Sequence, residues 1–532
     1  MTFQIRTIVS LSIAVIVLSL LLAGPSTAQQ SQAKPTETLK SMLKAQVFGP
    51  EWLLSKGFNG DIDARNWRRL AQKLATPGSK IQVVTFGGSV TAGHLPEARN
   101  CSWVEQAEVW MKAAFPAVRF EVLNLARGAT DVTAASTCWY NHVPANTDLI
   151  FIEYSANGCT RLQCTSIMSP LVADYESLLR RVMRRAPNAA LMSLAIFAFY
   201  SHAGTAQNGK NTTIPTPYYN TVANGKNITI PTPYYNTGED MHAVLARRYG
   251  VPMVSVRDAL YNMMWDESAL RSALGYGRKH IMKDDIHPAF VGHDLYGRGL
   301  VAWAMRYILT RELTALSSTA VNNNINNKNN NFGKNSLQLS LPSPVSPIAA
   351  READGDTFCA EGAWFQKYVV KSSAAKDGWQ WFDETTPINL KYCDHFNCHR
   401  LGYRATGAGK SLDIQVATNN VTTQSRLEKR ALVIFFTRSP FKDEMGIARV
   451  SCISGCSCSP IELDGYNDDF YATLGAGSTS VTAHPQCLVR VTILDKSNSG
   501  GHMFKVDGVA VVPYTDSNPL TPIDKLALQG LA

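Results

Sequence analysis

The sequence predicts an α/β domain built on a parallel sheet with helices on both faces, followed by a smaller all-β domain. Three observations lead there. Apolar runs alternate with helix-period segments over residues 80–313, an Asn-, Pro- and Ser-rich stretch interrupts the pattern over 314–352, and short β-type runs separated by Gly, Ser, Asn and Asp fill 353–515. Alternating strand and helix signals imply crossover connections and therefore parallel strands, whereas closely spaced short strands imply antiparallel pairing in a sandwich.

The amino terminus carries Arg6, an uncharged apolar stretch from Ile8 to Ala23, and then small residues at Ser26 and Ala28. This is the pattern of a signal peptide over 1–28, so a secreted or cell-wall location is expected, with no stable membrane span after cleavage. The alternative is an uncleaved signal anchor that holds the protein in the Golgi lumen. Residues 29–79 read as an amino-terminal extension. In the α/β region strands are expected at Ile81–Phe86, Arg119–Asn124, Asp148–Tyr154, Ala189–Phe197 and Val251–Val256, with helices at Ser102–Phe115, Leu171–Arg185, Met241–Tyr249 and Gly292–Leu313. Sheets of this kind bind ligands beyond the carboxyl ends of their strands.

Residues 208–237 hold a duplicated unit, Asn208–Thr221 recurring as Asn224–Thr237 with Ile228 in place of Thr212. Its Pro-Thr-Pro and Tyr-Tyr elements cannot make a regular helix, so an extended loop is expected, with aromatic pairs available to stack on sugar rings or simply to cover a glycosylated surface. The 314–352 stretch is too polar and proline-broken to bury a core and reads as a linker. Its composition predicts two parts with few contacts between them. Beyond it, Ala431–Phe436, Leu488–Leu494 and Val506–Val512 are the clearest strands, and 516–532 is a tail.

A formal charge of +9 over 532 residues suggests anionic surroundings such as wall polysaccharide, and no basic block with interleaved aromatics argues for nucleic acid. The 11 cysteines and the Asn-x-Ser/Thr triplets at Asn100, Asn211, Asn227 and Asn420 fit export. Cys159 with Cys164 and Cys101 with Cys138 is one of three pairings open to the four cysteines of the α/β region. The cluster Cys452, Cys456 and Cys458 has the look of a metal knuckle, but disulfides are favoured in an oxidising compartment. No other metal-ligand spacing occurs, and no metal or cofactor is expected.

Chemistry concentrates in two segments. The run Val83-Val84-Thr85-Phe86-Gly87-Gly88-Ser89 is a strand that breaks at two glycines and presents a serine. Far along the chain, Lys283-Asp284-Asp285-Ile286-His287-Pro288 carries an acid three residues before a histidine. A serine hydroxyl is a weak nucleophile near neutral pH; it needs an imidazole to take its proton and a carboxylate to hold the useful tautomer. Asp284 is favoured as the orienting acid, with the adjacent Asp285 as its rival. Glu153 falls at a strand end near these segments and is open to a structural or a chemical role. His293 is expected to cap or pack, and His202, His242 and His280 have no ligand spacing.

Four separated blocks, Gly88-Ser89, Gly128 in Asn124–Ala129, Asn157 in Glu153–Asn157, and Asp284 with His287, together resemble the SGNH hydrolase superfamily of GDSL-type esterases over roughly residues 80–312. The resemblance implies a flavodoxin-like α/β/α domain, with Ser89 as nucleophile, His287 as general base and Asp284 as its partner. It further implies an oxyanion hole from the Ser89 N–H, the Gly128 N–H and the Asn157 amide. Two positions depart from the family pattern: Gly88 stands where the eponymous motif has Asp, and the third block reads Ser155-Ala156-Asn157-Gly158. The activity implied is deacylation of a glycan or small ester, foremost deacetylation. Acyl transfer to a sugar by the same triad, and a catalytically inactive wall-binding protein, are the alternatives.

Overall fold

The computed structural model describes residues 35–60, 63–93, 101–157, 164, 166–202, 229–231, 234–235, 237–284, 286–323, 341–345, 357–384, 399–421, 428–467 and 472–515. The expected signal peptide, Cys159, Asp285, the first copy of the duplicated unit and the tail lie outside the described residues. Among the described residues no helix is long and apolar enough to cross a membrane.

The first part contains strands β1 (Phe58–Asn59), β2 (Lys80–Gly87), β3 (Arg119–Asn124), β4 (Leu149–Glu153), β5 (Ala190–Ala195), β6 (Tyr200–His202), β7 (Thr229–Pro231) and β8 (Met253–Ser255). Six of them make one sheet in the order β1-β8-β5-β4-β2-β3. The pairs β2/β3, β2/β4, β4/β5 and β5/β8 are parallel, and β1 adds an antiparallel edge. Counted in chain order, the parallel strands lie 2-1-3-4-5, which creates a topological switch point between β2 and β4. Ile81, Val83, Val84, Thr85 and Phe86 of β2 are all buried, as expected for a strand covered on both faces.

The helices follow their capping signals. Ser102 accepts from the Glu105 N–H to start the helix Trp103–Ala114, whose Trp103, Ala107, Trp110, Met111 and Ala114 recur on the buried side. The helix Pro170–Arg185 starts on proline, whose missing N–H costs nothing there, and ends on Arg184 and Arg185, which suit the negative helix terminus.

The second part holds β9 (Phe358–Glu361), β10 (Gln380–Asp383), β11 (Leu401–Thr406), β12 (Ser411–Val416), β13 (Glu428–Arg438), β14 (Ile447–Ser454), β15 (Ile461–Asp464), β16 (Thr473–Val481), β17 (Cys487–Ile493) and β18 (Met503–Thr515). They form two antiparallel sheets, β10-β11-β18-β13-β16 with β9 beside β18, and β12-β17-β14-β15. Ile434, Val509 and Val511 of one sheet share a core with Ile414, Val450 and Val489 of the other. Disulfides Cys452–Cys458 and Cys456–Cys487 staple the second sheet, so the knuckle-like cluster is a pair of cross-links.

Four expectations need correction. First, the amino-terminal extension is built into the α/β domain: Met42, Leu53, Leu54, Trp67 and Leu70 belong to its main core, and Phe58–Asn59 supplies the sheet's edge. Second, the last helical segment does not stop at Leu313. Helix continues from Phe290 to Asn323, with a π-helical stretch at Leu295–Val301 and a final segment, Ala302–Asn323, that runs into the expected linker. Val345 farther along that linker donates its N–H to Glu176 at 2.7 Å, which straps the segment to the helix Pro170–Arg185.

Third, Cys138 pairs with Cys359 and not with Cys101. Cys164 is also disulfide-bonded. Fourth, the two parts touch extensively. Val433, Phe435 and Ala510 of the β domain join Leu125, Val132, Ala135 and Trp139 in one apolar cluster. The Trp139 indole donates to Glu361 at 3.0 Å, Tyr140 Oη meets Thr357 Oγ1 at 2.9 Å, and the Leu474 N–H donates to Ala129 O at 3.0 Å. Composition marks where a chain can be flexible, but it carries no information about apolar faces that meet from either side of such a segment.

Candidate active site

Ser89 is the first residue of a one-turn helix, Ser89–Ala92, directly after β2. The two glycines before it are required by contact. A Cβ on Gly87 would lie 2.3 Å from Thr91 Oγ1, and one on Gly88 would lie 2.0 Å from Asn157 Nδ2. Gly88 therefore lets the Asn157 amide press against the turn that carries Ser89, where any side chain would collide with it. Asn157 is set by the loop after β4, where its N–H donates to Tyr154 O at 3.2 Å and Ser155 Oγ donates to Ile196 O at 2.7 Å.

Gly128 follows β3. Asn124 fixes that turn, its Oδ1 accepting from Thr85 Oγ1 at 2.9 Å and from the Ala126 N–H at 3.0 Å. The Arg127 N–H donates to Gly87 O at 3.0 Å, and a methyl group on Gly128 would be 3.8 Å from Ser89 Cβ. Thus the ends of β2, β3 and β4 converge at the switch point.

The histidine arrives on a loop closed by the Lys283 N–H to His287 O bond at 2.9 Å. Ser89 Oγ lies 2.8 Å from His287 Nε2, and His287 Nδ1 lies 2.8 and 3.0 Å from the two oxygens of Asp284. With the ring proton on Nδ1 facing Asp284, Nε2 is left to accept from the serine. Asp284 Oδ1 also accepts the N–H groups of His287 and Ile286 at 2.7 and 3.0 Å. Burial pushes this carboxyl up, but the hydrogen bond and charge of His287 and the two backbone donors outweigh it and hold it down to about 2. The structure brings Ser89, Gly128, Asn157, Asp284 and His287 together.

Glu153 lies fully buried beneath the turn that carries Ser89. Its Oε2 accepts from Thr91 Oγ1 at 2.8 Å and from the Gly88 N–H at 3.4 Å, while Thr91 Oγ1 accepts from the Trp103 indole at 3.0 Å. Burial pushes it up to about 7 against the lowering effect of those donors. His293 is likewise fully buried, and its Nδ1 accepts the Trp103 N–H at 3.2 Å, so it caps the start of a neighbouring helix; burial, with the His287 charge, lowers it to about 3. His242 stacks on Tyr175 with centroids 3.7 Å apart, and His280 lies near the Tyr276 ring. In the second repeat copy, Tyr234 donates its hydroxyl to Asp258 at 2.6 Å and lies under Arg257, so this tyrosine anchors the loop.

Arg127 and Arg400 also lie beside the Gly128 turn, a meeting that sequence reasoning did not anticipate. Arg400, which immediately precedes β11, has its Nη2 3.9 Å from a methyl group placed on Gly128. No local motif announces either residue, because their meeting depends on how the two domains dock.

No protein-family model and no curated protein matches the chain. Among solved structures, the chain is similar to a two-domain esterase active on acetylated mannans, at 15% identity and a TM-score of 0.53, over 87% of this chain and 99% of that one. The same kind of likeness holds for that esterase crystallised with mannopentaose, at 16% identity and a TM-score of 0.50, over 87% and 98% of the two chains. The likeness spans both parts, and it is one of fold: an α/β domain joined to a β domain.

Proposed function

We propose that the protein is a secreted serine esterase of the SGNH type that removes acyl groups, acetyl foremost, from a glycan. The observation that carries this reading is the unbroken relay from Ser89 Oγ through His287 to Asp284, opening where Gly128 and Asn157 meet the serine. In the first step Ser89 Oγ bonds to the ester carbonyl carbon as His287 Nε2 takes its proton. The carbonyl oxygen gains the negative charge, which the Ser89 and Gly128 N–H groups and the Asn157 amide stabilise; one such side-chain donor is worth about 2.7–4 kcal/mol. The imidazolium then returns its proton to the departing sugar oxygen, leaving an acyl-serine. Water, deprotonated by the same imidazole, releases the acid and restores the serine.

A glycan ester is also what the structurally similar two-domain esterase acts on. The disulfides support an oxidising compartment and hence export. Acetate release from acetylated polysaccharides by the full chain tests the reading, alongside mass-spectrometric detection of a fluorophosphonate adduct on Ser89. Ser89→Ala should cost on the order of a million-fold in turnover. A variant that keeps more than about a tenth of wild-type turnover would sink the serine mechanism.

A further inference from the structure

A buried acid lies where three elements of the candidate site meet, and the proposed mechanism makes no use of it. Glu153 ends β4, in register with Gly87 at the end of β2. Its Oε2 accepts from Thr91 Oγ1 at 2.8 Å and from the Gly88 N–H at 3.4 Å, and a Cβ on Gly87 would lie 2.9 Å from the same oxygen. The carboxyl therefore rests against the backbone that leads into Ser89. Thr91 extends the contact: its carbonyl accepts from Asn124 Nδ2 at 3.0 Å, and Asn124 Oδ1 takes the Ala126 N–H of the turn that carries Gly128. Asn157 follows Glu153 on the loop after the same strand.

The other carboxyl oxygen, Oε1, is buried with no hydrogen-bond partner among the described residues. A carboxylate there leaves buried charge unanswered, whereas the unmet hydroxyl of a neutral acid costs much less. Among the described residues no lysine or arginine pairs with it. The titratable groups on the elements packed around it carry no charge near neutral pH. They are Tyr154 on its own strand, Tyr296 from the π-helical stretch Leu295–Val301, and His293, which stands behind Trp103; burial raises the two hydroxyls and lowers the imidazole. Burial likewise pushes Glu153 up to about 7 against the lowering effect of the Thr91 and Gly88 donors, so this acid changes charge in the range where a histidine base works.

We infer that Glu153 is a positioning residue for the ester cleavage proposed above: as a neutral acid it holds the Ser89 turn, and once ionised it sets its charge against the one that develops on the substrate carbonyl oxygen. The inference deepens the esterase reading and rests on it. The donors from Ser89, Gly128 and Asn157 then face a second anion from behind, in a water-poor interior where repulsion is strong. The attack of Ser89 and the later attack of water both build that oxyanion, whereas a neutral ester binds alike over either form of the acid. Ionisation therefore lowers kcat with KM little moved. The only chemical change is loss of the Glu153 proton to solvent. Turnover rises on the acid side as the imidazole base becomes neutral, and it falls above about pH 7 as Glu153 ionises. A Ser-His-Asp relay without such an acid keeps its rate there.

Two probes read this charge in the full chain. One is turnover of p-nitrophenyl acetate, corrected for spontaneous hydrolysis, and the other is the rate at which a fluorophosphonate labels Ser89, each followed from about pH 5 to about pH 9. In the wild type both should pass through a maximum near about pH 7 and fall on the order of tenfold by about pH 9, recovering when the pH is returned. Glu153→Gln keeps the size and an acceptor for Thr91 but cannot ionise, so neither rate should fall over that alkaline range. Thr91→Val removes a donor that holds the carboxyl down, so its alkaline limb should move to higher pH, a shift that decides the matter if the Gln variant fails to fold. Circular dichroism at each pH separates loss of rate from loss of fold. A flat alkaline profile in the wild type, a limb that survives in folded Glu153→Gln, an unmoved limb in Thr91→Val, or a limb carried by KM instead of kcat overturns the role of Glu153 and spares the esterase. Labelling of Ser89 that follows the expected profile, with no turnover of the nitrophenyl ester or of acetylated glycans, defeats the esterase reading and leaves the effect of Glu153 on Ser89 standing. Neither labelling nor turnover at any pH defeats both.

Discussion

Glu153 puts an unusual load on the residue scale. A carboxyl group with its Oε2 bound to the turn that carries Ser89 is fully buried, and burial raises it to about 7. Its ordinary value is 4.5, so between about pH 4.5 and 7 the unfolded chain has released this proton while the folded chain keeps it. The folded state then binds more protons, and stability falls as pH rises through that window. Glu153→Gln keeps an acceptor for Thr91 and removes the titration. Its melting temperature, measured from pH 4 to 8, should therefore fall less steeply than that of the wild type across the window and exceed it above about pH 7. Parallel curves for the two proteins would mean that the carboxyl is already charged in the folded state.

Elements show what could be read beforehand and what could not. The strands at Arg119–Asn124 and Leu149–Glu153 and the helix Trp103–Ala114 appear within a residue or two of their sequence-based bounds, because each is a self-contained apolar pattern with its own cap or break. The segments that carry Ser89, Asp284 and His287 were legible for the same reason: a strand, a Gly-Gly-Ser turn and an acid-to-histidine spacing are all local. The two-residue edge strand Phe58–Asn59 was not, since its pairing to Met253–Val254 is decided almost 200 residues away and two residues carry no period. The cross-link between Cys138, just past the helix Val132–Thr137, and Cys359 of β9 was hidden likewise, because pairing depends on which cysteines the docked domains bring near each other. That disulfide closes a separation of 221 residues. In the chain-entropy picture a loop of that size stabilises by at most about 5 kcal/mol. The double variant Cys138→Ala/Cys359→Ala should lower the denaturant midpoint of the whole unfolding transition, and reducing agent should shift the wild type toward it. A midpoint lowered for β-domain probes alone would show that the two parts unfold separately.

At the scale of the whole molecule, the interface decides whether the β domain is an appendage or part of the site. The α/β domain alone would lose Val433, Phe435 and Ala510 from the apolar cluster that they share with Val132, Ala135 and Trp139, and would leave the Trp139 indole without Glu361. Apolar burial contributes about 25 cal/mol per Å², so an uncovered face carrying a tryptophan is both a loss of stability and an invitation to aggregate. The backbone bond from Leu474 to Ala129 would vanish as well, and Ala129 adjoins the glycine that faces Ser89. Residues 29–320 expressed alone in an oxidising host should therefore be aggregated, or soluble with turnover on small esters reduced well below that of the full chain. Co-expression with residues 352–532 should restore a disulfide-linked, active complex through Cys138 and Cys359. Size-exclusion chromatography and ester turnover read both outcomes, and a monomeric amino-terminal piece as active as the full chain would show that the docked β domain contributes nothing to building the site.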